Sequence, residues 1–337
     1  MAVVRHNVLR LAGSSQFSSL VTWLESCDDH RGGLLRVLTY HRIDDLHAQP
    51  HLYPEMISAT PTQFAHQLEH LASHYRVISI DQVIEALHES RRLPPRSVLL
   101  TFDDAYRDFS QYAWPLLSKY GLPATLFVPT AYPDQPERAF WWDRLYGAFR
   151  QATQGETRRQ FGSFRCLLNH VKSLPDNRAQ ELVDQLCKQD TSRSQQNAVL
   201  GWDELRRLAR EGLSLGPHTR THPLLNRISE EDAVRQAADS LADLQREVGE
   251  VPRVLAYPSG AYSEQVADRL GCEGFQLAFT TCRGINDLEH ADRMRLRRIN
   301  VARRTPSAVL RAQMLSGARY FNRCWPVRSA LPEQAGH

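Results

Sequence analysis

The chain has 337 residues, 42% of them hydrophobic and 23% charged, with a formal net charge of +3. That length can bury a full core, the composition excludes a disordered chain, and the dilute charge excludes a nucleic-acid footprint. No run approaches the ~18 apolar residues of a membrane-spanning helix. Six scattered cysteines without a C-x-x-C pair exclude a zinc-finger layout and a dense disulfide framework.

Residues 1–33 form an N-terminal segment expected to be helical, with Leu9, Phe17, Leu20, Val21 and Leu24 packed on the domain. The segment has no uninterrupted apolar stretch and does not match a signal peptide, so a cytoplasmic, at most membrane-peripheral, protein is expected. The run LLRVLTY (34–40) predicts a strand. A helix follows over 60–74, with Thr60 and Pro61 at its cap and first turn. YRVISI (75–80) predicts a strand, 81–90 a helix capped by Asp81, SVLLTF (97–102) a strand, 110–121 a helix stopped by Gly121, and 123–128 a strand. Residues 133–200 break this rhythm with polar helical patterns and predict a helical insertion. Beyond it come a helix ending at Gly212, the strand LSLG, and a long helix capped by Ser229. RVLAYP, FQLAFTT and LRRINV complete the strands. Strands alternating with helices imply βαβ units and a parallel sheet, and seven or eight such units imply an α/β barrel over 34–318, with 319–337 as a tail.

Two stretches carry the chemistry. SVLLTFDDAYRDF ends a strand in two adjacent carboxylates, Asp103 and Asp104, whose mutual repulsion calls for a cation. HTRTH places His218 and His222 four apart between Pro217 and Pro223, which favours a tight turn at a strand end over a helix. In a parallel barrel the strand ends share one rim. One carboxylate and two imidazoles there make a three-ligand metal site with open positions, as in hydrolytic zinc centres, and the second carboxylate is placed to act as general base.

TFDDAYRD, HTRTH and AYPSG, in that order, resemble the first three motifs of the polysaccharide deacetylases, the NodB-homology carbohydrate esterases. The resemblance runs from LTYHRI to LRRINV. It implies a distorted (β/α) barrel and metal-dependent removal of N-acetyl groups from N-acetylhexosamine units of a glycan or glycan precursor. Carried across, Asp103 is the base, and Asp104, His218 and His222 bind a divalent ion. Zn2+ is the first choice, with Co2+, Ni2+ and Mn2+ competing. The third motif, with Pro258 and Gly260 forming a turn, implies that the Ser259 N–H holds the oxyanion. Tyr257 suits the core as well as the substrate.

Three departures stand out. Ala105 replaces the usual glycine after the acid pair, at about 1 kcal/mol if the position needs positive φ. Ala256 replaces an arginine two before the motif-three proline, so Arg42 or Arg298 must orient Asp103 instead. The late Leu-x-His that supplies the general acid is absent. The exopolysaccharide branch of the family uses a histidine at the end of an N-terminal strand, which here is His41. Trp141-Trp142-Asp143 also resembles an element of that branch, its adjacent aromatics serving as a sugar platform or as an anchor for the insertion. Two other readings share these residues: another carbon–nitrogen hydrolase, such as a sugar deformylase or an imidase-like enzyme, and a silent carbohydrate-binding relative.

Overall fold

In the computed structural model, which describes residues 14–28, 32–46, 52–151, 156–187 and 198–321, the chain begins with α1 (Ser15–Ser26), β1 (Leu34–Tyr40), β2 (Arg42–Ile43) and β3 (Ile57–Ala59). Next come α2 (Pro61–His74), β4 (Arg76–Val77), α3 (Ile80–His88), β5 (Ser97–Phe102), α4 (Trp114–Tyr120) and β6 (Thr125–Val128). The insertion holds α5 (Trp141–Gln151), α6 (Glu156–Phe161), α7 (Phe164–Ser173) and α8 (Asp176–Cys187). The barrel resumes with α9 (Trp202–Arg210), β7 (Ser214–Pro217), α10 (Glu230–Val248), β8 (Val254–Ala256), α11 (Glu264–Cys272), β9 (Leu277–Phe279), β10 (Asn286–Asp287), β11 (Ile299–Asn300) and α12 (Ser307–Met314).

β1, β5, β6 and β7 pair in parallel in that order, with β4 beside β5 and β11 beside β1, while β10 joins the start of β1 antiparallel. β8 and β9 pair separately, and a parallel bridge from Phe279 to Leu296 leads towards β11. The ring is therefore a distorted barrel: among the described residues no ladder joins β7 to β8. Alternation along the strands sorts the core into two layers. Leu35, Val37, Leu99, Phe127, Ala256 and Phe279 fill the interior. Leu38, Leu100, Leu126, Leu215 and Leu255 face outward against the helices. At Gly216 a Cβ would lie 2.9 Å from the Phe127 ring and 3.2 Å from Val254, so only glycine lets β7 sit this close to the interior.

Local hydrogen bonds move some boundaries. The helix expected from 81 starts at Ile80, because the Ser79 hydroxyl accepts from the Gln82 amide (3.2 Å) and the Gln82 side chain accepts from the Ser79 amide (2.9 Å). That capping box displaces Asp81 from the cap and shortens the preceding strand to Arg76–Val77. The helix expected over 110–121 opens as a π turn, Phe109–Ala113, which accommodates Pro115 and its missing N–H. The four insertion helices have their own core, including Leu145, Phe149, Phe164, Leu167 and Val183. Among the described residues no helix is long and apolar enough to cross a membrane.

The N-terminal helix departs from expectation. Val21 is buried, but Leu20 and Leu24 are exposed, and Leu9 lies outside the described residues. Polar contacts hold α1 instead. The buried Glu25 carboxylate accepts from Tyr75 (2.8 Å) and Arg311 (2.9 Å) and lies 2.9 Å from His70 Nε2. Next to it, Arg36 reaches the Ser316 hydroxyl (2.8 Å) and pairs with Asp28 (3.5 Å). α1 and the segment from α12 to Ser316 are thus tied to the start of β1. Burial opposes the Glu25 charge, yet His70, Arg311 and Tyr75 hold its pKa down at about 2. Because the folded value lies below the ordinary one, this contribution to stability is complete above about pH 4.5 and is lost as pH falls towards 2. Glu25→Gln should therefore destabilise the protein at pH 6 and match wild type near pH 2. A difference in unfolding free energy that does not shrink on acidification would contradict this role.

Candidate active site

β5 delivers its two carboxylates to the rim. The Asp103 amide donates to Tyr40 O (2.9 Å), after which the backbone turns sharply: Asp104 has φ 74° and Ala105 φ 51°. Ala105 therefore occupies the left-handed region that favours glycine, and its carbonyl accepts from Leu200 N (2.9 Å). Its methyl group is buried, and that burial offsets much of the strain. Ala105→Gly relieves strain of about 1 kcal/mol but gives up a buried methyl and gains unfolded-state entropy of similar size. Its measured change in unfolding free energy should stay within about 1 kcal/mol; a gain or loss of several would show that the balance is misjudged.

β7 delivers the imidazoles. The segment after Pro217 is a turn, as expected, with Thr219 at φ 64° and His222 at φ 61°. Thr219 Oγ1 accepts from the His222 amide (3.1 Å), while Thr130 N and Ala131 N from the loop after β6 donate to Thr219 O and Arg220 O. His218 Nδ1 donates to Ala256 O (2.7 Å), spanning the β7–β8 gap. That bond orients the ring and leaves Nε2 directed at the Asp104 carboxylate. His218 Nε2 lies 3.5 Å and His222 Nε2 3.4 Å from Asp104 Oδ1. These distances are long for hydrogen bonds, and Asp104 Oδ1, though buried, has no hydrogen-bond partner.

A divalent ion fits that arrangement. Zinc–ligand distances of ~2.1 Å place tetrahedral ligands about 3.4 Å apart, and the three candidate ligand atoms lie within 4.8 Å of one another. Burial opposes charge on Asp104, but His218 and His222 hold it well below the usual carboxylate range. The residues suited to a cation are thus Asp104, His218 and His222; the geometry does not select among divalent metals.

Asp103 is neutralised from another direction. Arg298, immediately before β11, donates through Nη1 and Nη2 to its two oxygens (2.9 and 2.8 Å), and its Nε donates to Thr280 O (2.8 Å). Against the burial that opposes its charge, this guanidinium holds Asp103 below its ordinary pKa. Arg42, the other candidate cation, is committed elsewhere. It pairs with Asp108 (3.0 Å) and Asp143 (3.2 Å), 3.5 Å above the Tyr106 ring. Asp108, raised by burial to about 6, also accepts from Ile43 N (2.8 Å). This cluster fixes the segment that carries His41, whose amide donates to Ser58 Oγ (2.9 Å).

His41, Asp103, Asp104, His218, His222 and Ser259 line one cavity of about 260 Å³. Ser259 has φ 52°, and Gly260 follows at φ 68° where a Cβ would collide with Thr281. Pro258 is buried behind this turn. Tyr257 is a correction. It is fully buried, stacks on Tyr262 at 4.7 Å and donates to Met294 O (3.0 Å), so its side chain belongs to the core and not to the cavity. The two tryptophans divide. Trp142 is buried, stacks on Phe140 (4.4 Å), donates to Tyr106 Oη (2.8 Å) and forms a wall 4.8 Å from His222. Trp141 is half-buried and lines an adjoining cavity of about 360 Å³. Sequence reasoning missed Lys172 of α7, whose Nζ donates to Ser259 Oγ (3.1 Å). Its signal is faint: it follows Val171, beside the apolar face Phe164, Leu167, Leu168 and Val171.

The family profile described as polysaccharide deacetylase matches residues 90–278, more than half the chain and both motif stretches. The chain belongs to the polysaccharide deacetylase family. It is 31% identical over 99 residues to the poly-beta-1,6-N-acetyl-D-glucosamine N-deacetylase of Escherichia coli K12, covering 29% of this chain and 14% of that protein. It is 21% identical over 207 residues to the putative polysaccharide deacetylase YxkH of Bacillus subtilis, covering 61% of this chain and 52% of that one. The chain thus spans about half or less of these relatives. Among solved structures, the Streptococcus pyogenes deacetylase PplD in complex with acetate superposes with a TM-score of 0.60 at 22% identity, over 85% of this chain and 99% of that one. IcaB from Ammonifex degensii superposes at 0.59 and 20% identity, over 86% and 100%. These superpositions establish a shared deacetylase fold.

The Arg298–Asp103 pair is buried on both sides. Removing one partner of such a pair leaves an uncompensated charge, worth about 3–5 kcal/mol. Arg298→Met should lower the unfolding free energy by that amount in denaturant titrations at pH 7. A loss below about 1 kcal/mol would mean that Asp103 finds another partner.

Proposed function

We propose that the protein hydrolyses the N-acetyl groups of N-acetylhexosamine units in a glycan or glycan precursor, with a divalent metal as cofactor and zinc as the favoured ion. The observation that carries this reading is the division of two adjacent buried carboxylates: Asp104 faces two imidazoles, and Asp103 faces Arg298.

Asp104, His218 and His222 would hold the ion, which when bound polarises the acetamide carbonyl and acidifies water. Asp103, oriented by the two-pronged Arg298 contact, takes the proton from the attacking water. The Ser259 N–H, presented by the Pro258–Gly260 turn, donates to the oxyanion of the tetrahedral intermediate. His41, on the same cavity, hands a proton to the departing nitrogen. Trp142 closes the wall behind His222, and Trp141 offers a ring face to a neighbouring sugar.

Acetate release should be measured over a panel of acetylated oligosaccharides and sugar nucleotides, with and without chelator. Metal-loaded wild type should release acetate, and chelation should abolish it. Asp103→Asn should lose turnover by at least a thousandfold with metal content unchanged, whereas His218→Ala should lose the metal by elemental analysis. Near-normal activity in Asp103→Asn would remove it as the base. Formate in place of acetate would reassign the substrate class.

A further inference from the structure

The insertion contributes a charge that the proposed hydrolysis does not use. Lys172 reaches from α7 to the motif-three turn and contacts Ser259 Oγ at 3.1 Å. It lines both the cavity holding the acid pair and the adjoining 360 Å³ cavity, so its ammonium stands in the wall between them. Among the described residues it has no ion-pair partner. Burial lowers its pKa, and the attraction of Asp104 opposes that shift. On the far side, the adjoining cavity carries Arg138, Arg144 and Arg227 against Asp176 and Asp184. Arg144 is already paired with Asp184 (3.0 Å) and Asp176 accepts from Gln180 (2.7 Å), and with Lys172 the basic side chains outnumber these two acids. The route from one cavity to the other is therefore positive.

The reaction turns a neutral acetamide into an amine that is cationic at neutral pH. We propose that Lys172 is a specificity-determining residue, making the site reject glycan stretches that already carry a free amine next to the reacting unit. The proposal rests on the deacetylase reading and adds to it a preference between substrates. A neutral N-acetyl neighbour meets no penalty at the Lys172 wall. A glucosaminium there meets a like charge in a partly desolvated pocket, where one unit-charge interaction changes an equilibrium about tenfold.

The probes are an N-acetylglucosamine pentamer, fully acetylated, and the same pentamer with one internal unit deacetylated. Acetate release gives kcat/KM for each on metal-loaded protein, and calorimetric affinities are measured in the Asp103→Asn background, which requires no turnover. Wild type should prefer the fully acetylated pentamer about tenfold in both readouts, and the preference should shrink as salt is raised. Lys172→Met should narrow it to below about twofold, while Lys172→Arg retains it. An unchanged preference in Lys172→Met, or a wild-type preference that is absent or indifferent to salt, overturns the proposal. Should neither pentamer yield acetate, the deacetylase reading fails on its own, and the affinities still decide the role of Lys172. Should Lys172→Met not fold, the salt dependence of wild type decides it.

Discussion

Two carboxylates adjacent in sequence and both buried at the end of β5 repel each other unless each is compensated from a different side. The distal strands and turns of the barrel answer this constraint. The turn after β7 brings two imidazoles to Asp104, and the residue before β11 brings a guanidinium to Asp103. The partners come from positions more than a hundred residues downstream, so only a closed arrangement of strands can supply them together. Barrel closure and chemistry are in this sense one requirement.

The rim meets that requirement with strained backbone. Asp104, Ala105, Thr219, His222 and Ser259 all adopt positive φ without being glycine, each at a cost of about 1 kcal/mol or more. Local bonds hold the conformation: Thr219 Oγ1 to the His222 amide, Ala105 O to Leu200, and Ser259 O to Thr281. The cluster of Arg42, Asp108, Asp143 and Tyr106 does the same for the segment bearing His41. Five of the seven non-glycine positive-φ positions among the described residues thus gather at one rim, Ser90 and Arg96 being the others, which is the pattern of a preorganised site.

Much of this was legible from residue order alone. The alternation of apolar strands and helices, the acid pair at a strand end and the proline-flanked histidines are local patterns, and local patterns survive without coordinates. Arg298 was nameable as a candidate only because the loss of an arginine at Ala256 left a vacancy. That it wins over Arg42 depends on Asp108 and Asp143, which occupy Arg42 from other elements. Tyr257 was ambiguous because a strand-end aromatic can turn either way, and packing against Tyr262 decided it. Leu20 and Leu24 misled because a helical stripe normally signals burial, whereas ion pairs through Glu25 anchor this helix. Lys172 lay beyond reach, since nothing in α7 announces that it docks over a turn nearly ninety residues later.

The bond from His218 to Ala256 also has a structural consequence. It is a side-chain stitch across the seam where the backbone ladder stops between β7 and β8. The same ring therefore faces the Asp104 carboxylate through one nitrogen and mends the barrel wall through the other. A cation bound there would hold the ring from its second nitrogen as well, and would so link the occupancy of the site to the integrity of the wall. Here the cofactor would serve as a mechanical clasp as much as a reagent.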